Sequence, residues 1–355
     1  MALAGLLGCG STSAPGDGGQ RDSAIHTGSD VRPVDVTSPP DSQLQCGGTT
    51  RNLTATQGDL LFVIDRSGSM ADNGSDGMPK WTELQGSLAT VLPAIQSRIA
   101  MGLEVFPLLG STMDSACSAT PRVDVDIMLG GAAAIENIIQ TSAPGGHTPT
   151  YAALDVAATY FRSIPDATGT HYIVLATDGA PNCNAALDAN TCVCSTGTGT
   201  RGCAATSCLD DARTIAKIAE LAARGIHTFV VGLPGAEQFA SVLNQMAVAG
   251  GRPQAGNPQY YNPTSRDTLT RTLESITSGL VDCRFRLDAP PEDHTLVDVR
   301  LDGTSLPYDP THQNGWDWSD TTYTEVVFYG ATCTRVEDPS GGQQLSAAFG
   351  CPPPG

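Results

Sequence analysis

A chain of 355 residues, 40% of them apolar, has room for one large domain and a smaller one, and most of its length is too apolar to stay unfolded. It carries 37 acidic residues against 19 basic ones, a formal charge of -18, which excludes the positive surface that nucleic acid requires. Its 11 cysteines lack the spacing of tetrahedral zinc, since Cys192 and Cys194 form C-x-C and four residues separate Cys203 from Cys208; disulfides and an oxidising compartment are the better reading.

The chain opens Met1-Ala2-Leu3-Ala4-Gly5-Leu6-Leu7-Gly8-Cys9, and Leu6-Leu7-Gly8-Cys9 resembles the lipobox of bacterial lipoproteins. That resemblance implies that residues 1–8 are the remnant of a signal peptide and that Cys9 carries a lipid, although no basic residue precedes Arg21 as a signal sequence would require. Apart from Cys9, ten cysteines remain, enough for five bridges. No segment reaches the roughly 18 apolar residues of a spanning helix, so membrane contact is expected through an N-terminal acyl anchor alone. Residues 9–45 are rich in Ser, Thr, Gly, Asp and Pro and read as a flexible stalk.

An apolar strand then starts near Asp59 and ends in Asp65-Arg66-Ser67-Gly68-Ser69-Met70. A polar loop, Asp72 to Pro79, leads into a helix from Trp81 to about Ile99 with Leu84, Leu88, Val91 and Ile95 on one face. Strands follow at Leu103 to Phe106 and Val123 to Met128, then a helix at Ala132 to Gln140 and the turn Pro144-Gly145-Gly146. Thr148-Pro149 has the composition of a helix start, with Thr as cap and Pro in the first position. The run His171 to Ala176 is apolar throughout, as a central parallel strand should be, and it leads into Thr177-Asp178-Gly179. A helix over Asp210 to Arg224 stops at Gly225, a strand spans Ile226 to Gly232, and helices near Glu237 to Val248 and Asp267 to Gly279 complete the alternation.

This order predicts an α/β fold over residues 46–281: a doubly wound, mostly parallel sheet with helices on both faces and a Cys-rich insertion at 182–209. Residues 282–355 read as a small β module, with strands at Arg284 to Leu287, Thr295 to Leu301, Thr324 to Tyr329 and Leu345 to Phe349. Cys283, Cys333 and Cys351 are its expected staples, with a bridge back to the larger domain left open. Trp316 and Trp318 are either contact aromatics or core of this module.

The strongest chemical signal is the D-x-S-x-S at the end of the first long strand. A strand tip delivers a carboxylate and two hydroxyls to the edge where open α/β sheets build ligand sites, and such oxygens suit a hard divalent cation. Thr148 and Asp178 lie on loops at the same edge. A bare hydrogen-bonding role for these polar residues is the competing reading.

The ordered set LLFVIDRSGSM, GGHTPTYAAL and YIVLATDGAP resembles the von Willebrand factor A (VWA) domain with its metal-ion-dependent adhesion site, over about Asp59 to Val281. By that resemblance Asp65, Ser67, Ser69, Thr148 and Asp178 hold the ion, magnesium in first place and manganese or calcium as alternatives. Asp72 and Asn73 stand where integrin β subunits hold an adjacent cation, and an ordinary solvated loop explains them equally. Lipobox, stalk, insertion and terminal Phe349-Gly350-Cys351-Pro352 together look like exported VWA lipoproteins of myxobacteria-like Gram-negatives, set in the outer membrane or on the surface.

The implied function is metal-dependent capture of a carboxylate on a protein or anionic ligand, without catalysis. A structural subunit of envelope assembly is the alternative. A magnesium-dependent hydrolase is a weaker one, because Ser67 stands where phosphoryl-transfer relatives place a second acid and no Walker, G-x-S-x-G or H-E-x-x-H motif is present.

Overall fold

The computed structural model describes residues 49–55, 58–110, 116–164, 170–195, 203–278, 280, 283–319, 321–336 and 344–353. The signal remnant at 1–8, the stalk at 9–45 and Cys9 lie outside the described residues. Among the described residues no helix is long and apolar enough to cross a membrane.

The described chain enters through two short strands, β1 (Thr49–Asn52) and β2 (Thr54–Ala55), and then forms β3 (Asp59–Asp65), α1 (Lys80–Ile95), β4 (Ala100–Phe106) and β5 (Val125–Met128). Next come α2 (Ala132–Thr141), α3 (Thr150–Ser163), β6 (His171–Thr177), α4 (Asp211–Ala223), β7 (Ile226–Gly232), α5 (Ala240–Ala249) and α6 (Arg266–Ser278). Five strands make one sheet in the order β5-β4-β3-β6-β7. Four of them are parallel, and β5 pairs antiparallel with β4 at the edge. The predicted doubly wound α/β architecture is therefore present.

Strand periodicity sorts the core. From β3, Leu60, Phe62 and Ile64 turn to one face, where they meet Leu84, Leu88 and Leu92 of α1, Ile135 and Ile139 of α2, and Leu269, Leu273 and Ile276 of α6. Leu61 and Val63 turn to the other, against Leu154 and Phe161 of α3, Ile218 and Leu221 of α4, and Leu243 and Met246 of α5. A strand buried on both faces must be apolar at every position, which is why LLFVI carries no alternation.

The remaining strands are β8 (Arg284–Arg286), β9 (Val297–Leu301), β10 (Thr304–Ser305), β11 (Gly315–Trp318), β12 (Glu325–Tyr329) and β13 (Leu345–Phe349), with a short helix α7 (Gly330–Val336) before β13. They form two antiparallel four-stranded sheets, β1-β13-β9-β10 and β11-β12-β8-β2. Their shared core contains Val297, Val299, Ala347, Trp316, Val326 and Phe328. Cys283 bridges to Cys333, and Cys351 is buried.

Two sequence expectations change, and one that was open is decided. Residues 49–55, read as the start of the α/β domain, pair instead with β13 and β8 and belong to the sandwich. TTRN and TA are too polar and too short to show a period, and Leu53 between them is the single apolar anchor, 8% exposed in the sandwich core. The first helix ends at Ile95, not Ile99, because Ile99 is buried in the lead to β4, which itself starts at Ala100. Trp316 and Trp318 lie on the unforeseen strand β11 and are core: their Nε1–H groups donate to the carbonyls of Leu306 and His294 at 3.1 and 3.3 Å.

Candidate metal centre

In the strand order β5-β4-β3-β6-β7 the winding reverses between β3 and β6, and the crevice beyond the C-terminal tips of those two strands is where such sheets bind ligands. Asp65 ends β3, and Thr177 ends β6 with Asp178 next. Both carboxylates are buried, Asp65 completely. Asp65 Oδ1 accepts the Ser67 N–H at 2.7 Å, and Oδ2 accepts the Thr177 hydroxyl at 2.6 Å. Ser67 Oγ and Ser69 Oγ are 3.2 Å apart, and Ser69 Oγ donates to Asp178 Oδ1 at 2.8 Å. Four of the five sequence-predicted residues therefore form one continuous oxygen cluster.

Thr148 is brought alongside through backbone. Gly145 N–H donates to Arg66 O at 2.7 Å and Gly68 N–H to Gly146 O at 3.1 Å, so the loop before α3 is laced to the D-x-S-x-S loop. Thr148 N–H donates to Asn182 Oδ1 at 2.8 Å, and Asn182 N–H returns to Thr148 O at 2.9 Å. The expected Thr148 cap is not formed: α3 starts at Thr150 with Pro149 as its boundary and no side-chain capping bond. Thr148 lies one residue before that boundary, outside the position from which a side chain caps the first turn. Asp72 and Asn73 are exposed; Asp72 donates its N–H to Ser69 O and accepts the Lys80 N–H through its own carbonyl.

Three further residues complete the cluster. Lys80 Nζ donates to Asp178 Oδ2 at 2.7 Å, with the lysine side chain 9% exposed and that of Asp178 fully buried. Thr177 grips Asp65, and Asn182 fixes Thr148. Their signals were thin: a threonine just before Asp178, an asparagine four residues after it, and a lysine that reads as an ordinary solvated first-turn residue. Arg66, between the ligand candidates, points away, its Nε donating to Pro107 O at 2.9 Å and its guanidinium to Ser142 Oγ at 3.2 Å.

Electrostatics distinguish the two acids. Burial, then repulsion from Asp178, pushes the Asp65 carboxyl up to about 7 against the bonds from Thr177 and Ser67. Its described partners are neutral, whereas Asp178 has Lys80. A buried carboxylate short of positive charge, ringed by hydroxyl oxygens with no sulfur or imidazole, fits a hard divalent cation. The cysteine cluster of the insertion, Cys192, Cys203 and Cys208, is separate chemistry: Cys192 is bridged to Cys208, and Cys117 to Cys183.

The sheet order and the helices on both faces define a doubly wound, VWA-like α/β fold. No protein-family model matches the sequence, and no curated protein matches it. Among solved structures the chain is similar to the PilB minor pilin from Streptococcus sanguinis, with 20% identity, 64% of this chain and 62% of that chain covered, and a TM-score of 0.45. It is also similar to the pilus adhesin SpaC from Lactobacillus rhamnosus GG, with 12% identity, coverage of 84% and 40%, and a TM-score of 0.48. The vWF domain of the pilus tip protein Mfa5 from Porphyromonas gingivalis gives 12% identity, coverage of 64% and 97%, and a TM-score of 0.44. The chain thus spans less than two thirds of the length of the first two.

Proposed function

We propose that this protein is an exported binding protein that captures a carboxylate-bearing partner, a protein or an anionic ligand, through a divalent cation held at the tips of β3 and β6. The observation that carries this reading is the convergence of Asp65, Ser67, Ser69 and Asp178 into one hydrogen-bonded cluster, with the Thr148 loop tied beside it. These five residues would hold the ion, magnesium before manganese or calcium. When bound, the ion supplies a positive coordination position for an incoming carboxylate.

The residues themselves do the rest. Thr177 and the Ser67 N–H fix the Asp65 carboxylate, and Asn182 fixes the Thr148 loop. Neutral hydroxyls, in place of further acids, leave residual positive charge on an ion for a partner to neutralise. A second acid for phosphoryl transfer is missing two residues after Asp65, where Ser67 stands, which supports binding over catalysis. Disulfides at Cys117–Cys183, Cys192–Cys208 and Cys283–Cys333 support an oxidising, extracytoplasmic location. Lipid attachment at Cys9 to an outer membrane is part of the same proposal.

The test is calorimetric titration of Mg²⁺, Mn²⁺ and Ca²⁺ into the metal-stripped full chain, beside Asp65→Ala. Saturable binding that the substitution abolishes is the expected result. Identical heats from the two proteins would remove the ion from this edge.

A further inference from the structure

Lys80 is out of place by every local rule. It is the first residue of α1, where the helix dipole disfavours a cation, and it is buried although a lysine there could extend into water. Its ammonium instead lies 2.7 Å from Asp178 Oδ2. The surroundings leave room for it. Gly235, in the loop after β7, has a φ of 105°, and a Cβ there would stand 3.1 Å from Lys80 Nζ, so a side chain at that position would crowd the ammonium. The backbone ties the lysine to the same edge, because its N–H donates to the carbonyl of Asp72 just past Ser69.

The consequence is one of charge. With Asp65 and Asp178 both ionised the cluster carries two negative charges, and Lys80 cancels one. Each oxygen of Asp178 is also occupied, Oδ2 by Lys80 and Oδ1 by the Ser69 hydroxyl. Affinity for a divalent cation follows the net charge of the surrounding ligands. A fixed ammonium at hydrogen-bond distance from one of them therefore works against tight binding.

We propose that Lys80 is a built-in counter-cation, which holds Asp178 in position without a divalent ion and sets the ion affinity of the site low. The inference rests on the ion-binding reading above and assigns Lys80 as a positioning residue that acts through Asp178. A site of this kind keeps its shape while its ion exchanges.

The test compares the full chain with Lys80→Met, which keeps the stem and removes the charge, and Lys80→Arg, which keeps the charge. Mg²⁺ is titrated into each after metal stripping, and melting is followed in chelator and in excess Mg²⁺. Lys80→Met is expected to bind Mg²⁺ about tenfold tighter or more, to melt lower than wild type in chelator and to recover in Mg²⁺, while Lys80→Arg stays near wild type. A merely structural lysine would give the opposite sign, weaker binding after its loss.

Wild type that binds Mg²⁺ beside a Lys80→Met chain that binds no tighter overturns this inference and leaves the ion site standing. Binding by Lys80→Met alone supports the inference and shows that the wild-type lysine excludes the ion. No binding by either chain, or a Lys80→Met chain that stays unfolded even in excess Mg²⁺, overturns it.

Discussion

Asn182 and Thr148 hold each other by two hydrogen bonds, Thr148 N–H to Asn182 Oδ1 at 2.8 Å and Asn182 N–H to Thr148 O at 2.9 Å. The same asparagine donates through Nδ2 to Ser195 Oγ at 3.1 Å, inside the Cys-rich insertion. One side chain thus joins the loop before α3 to the insertion. Asn182→Ala leaves the buried Thr148 N–H without its partner, while Ser195 Oγ keeps its bond to the Ser207 carbonyl. We expect a loss of about 1–3 kcal/mol in stability and weaker Mg²⁺ binding. Urea unfolding and the Mg²⁺ titration read the two effects separately, and a variant equal to wild type in both would show that the loop holds its place without Asn182.

The pH dependence follows from two buried acids. Glu104 on β4 is pushed up to about 9, by burial first and by the Asp124 charge second, with the Thr120 hydroxyl and Arg66 opposing. Between its ordinary value of 4.5 and about 9 the folded chain holds a proton that the unfolded chain has lost, so stability falls as pH rises through that window. Asp65 adds the same sign between 3.8 and about 7. In chelator the protein should therefore unfold at lower urea at about pH 8.5 than at about pH 6, and Glu104→Gln should flatten that difference. Stability that rises with pH over this range would contradict the assignment.

The Cys117–Cys183 bridge ties the segment before β5 to the loop after Asp178, and His147 N–H donates to Ala116 O beside it at 3.0 Å. Replacing both cysteines with serine should cost about 2–4 kcal/mol and lower Mg²⁺ affinity, because two loops of the edge lose their common anchor. Equal Mg²⁺ affinity in the double variant would confine the bridge to a purely stabilising role.

In the insertion, Cys192 Sγ is bonded to Cys208 and lies 3.3 Å from Cys203 Sγ, while the Cys203 thiol is pushed up to about 11, chiefly by its hydrogen bond with Cys194. Four sulfurs share one small volume. Non-reducing peptide mapping of the protein recovered from an oxidising compartment should find Cys192, Cys194, Cys203 and Cys208 paired only among themselves. A bridge from any of them to Cys283 or Cys333 would overturn that arrangement.

Legibility in the sequence followed burial on two faces. β3 and β6 announce themselves as unbroken apolar runs ending in polar residues, so Asp65, Ser67, Ser69 and Asp178 could be placed at one edge from the order of elements alone. Thr148 is marked by the Gly145, Gly146 and Pro149 around it, although it does not cap α3. Lys80 could not be found, because its importance lies in a contact 98 residues away with Asp178, and a lysine opening an amphipathic helix looks solvated. β1 and β2 were equally silent: edge strands held by backbone bonds need no apolar pattern, and only Leu53 betrays them.

The sandwich takes β1 and β2 from before the α/β sheet and the rest of its strands from after it. In vectorial synthesis from the N-terminus, β3 to β7 are all made before β8 exists, so the sheet and its oxygen-lined edge can assemble on the nascent chain while β1 waits for β13. The β1–β13 seam joins strands further apart in sequence than any other pairing among the described residues, and it cannot close until β13 has been made. A chain truncated short of Leu345 would keep the strands of the oxygen-lined edge and leave the sandwich open, with β1 and its row of unsatisfied backbone groups exposed to other chains.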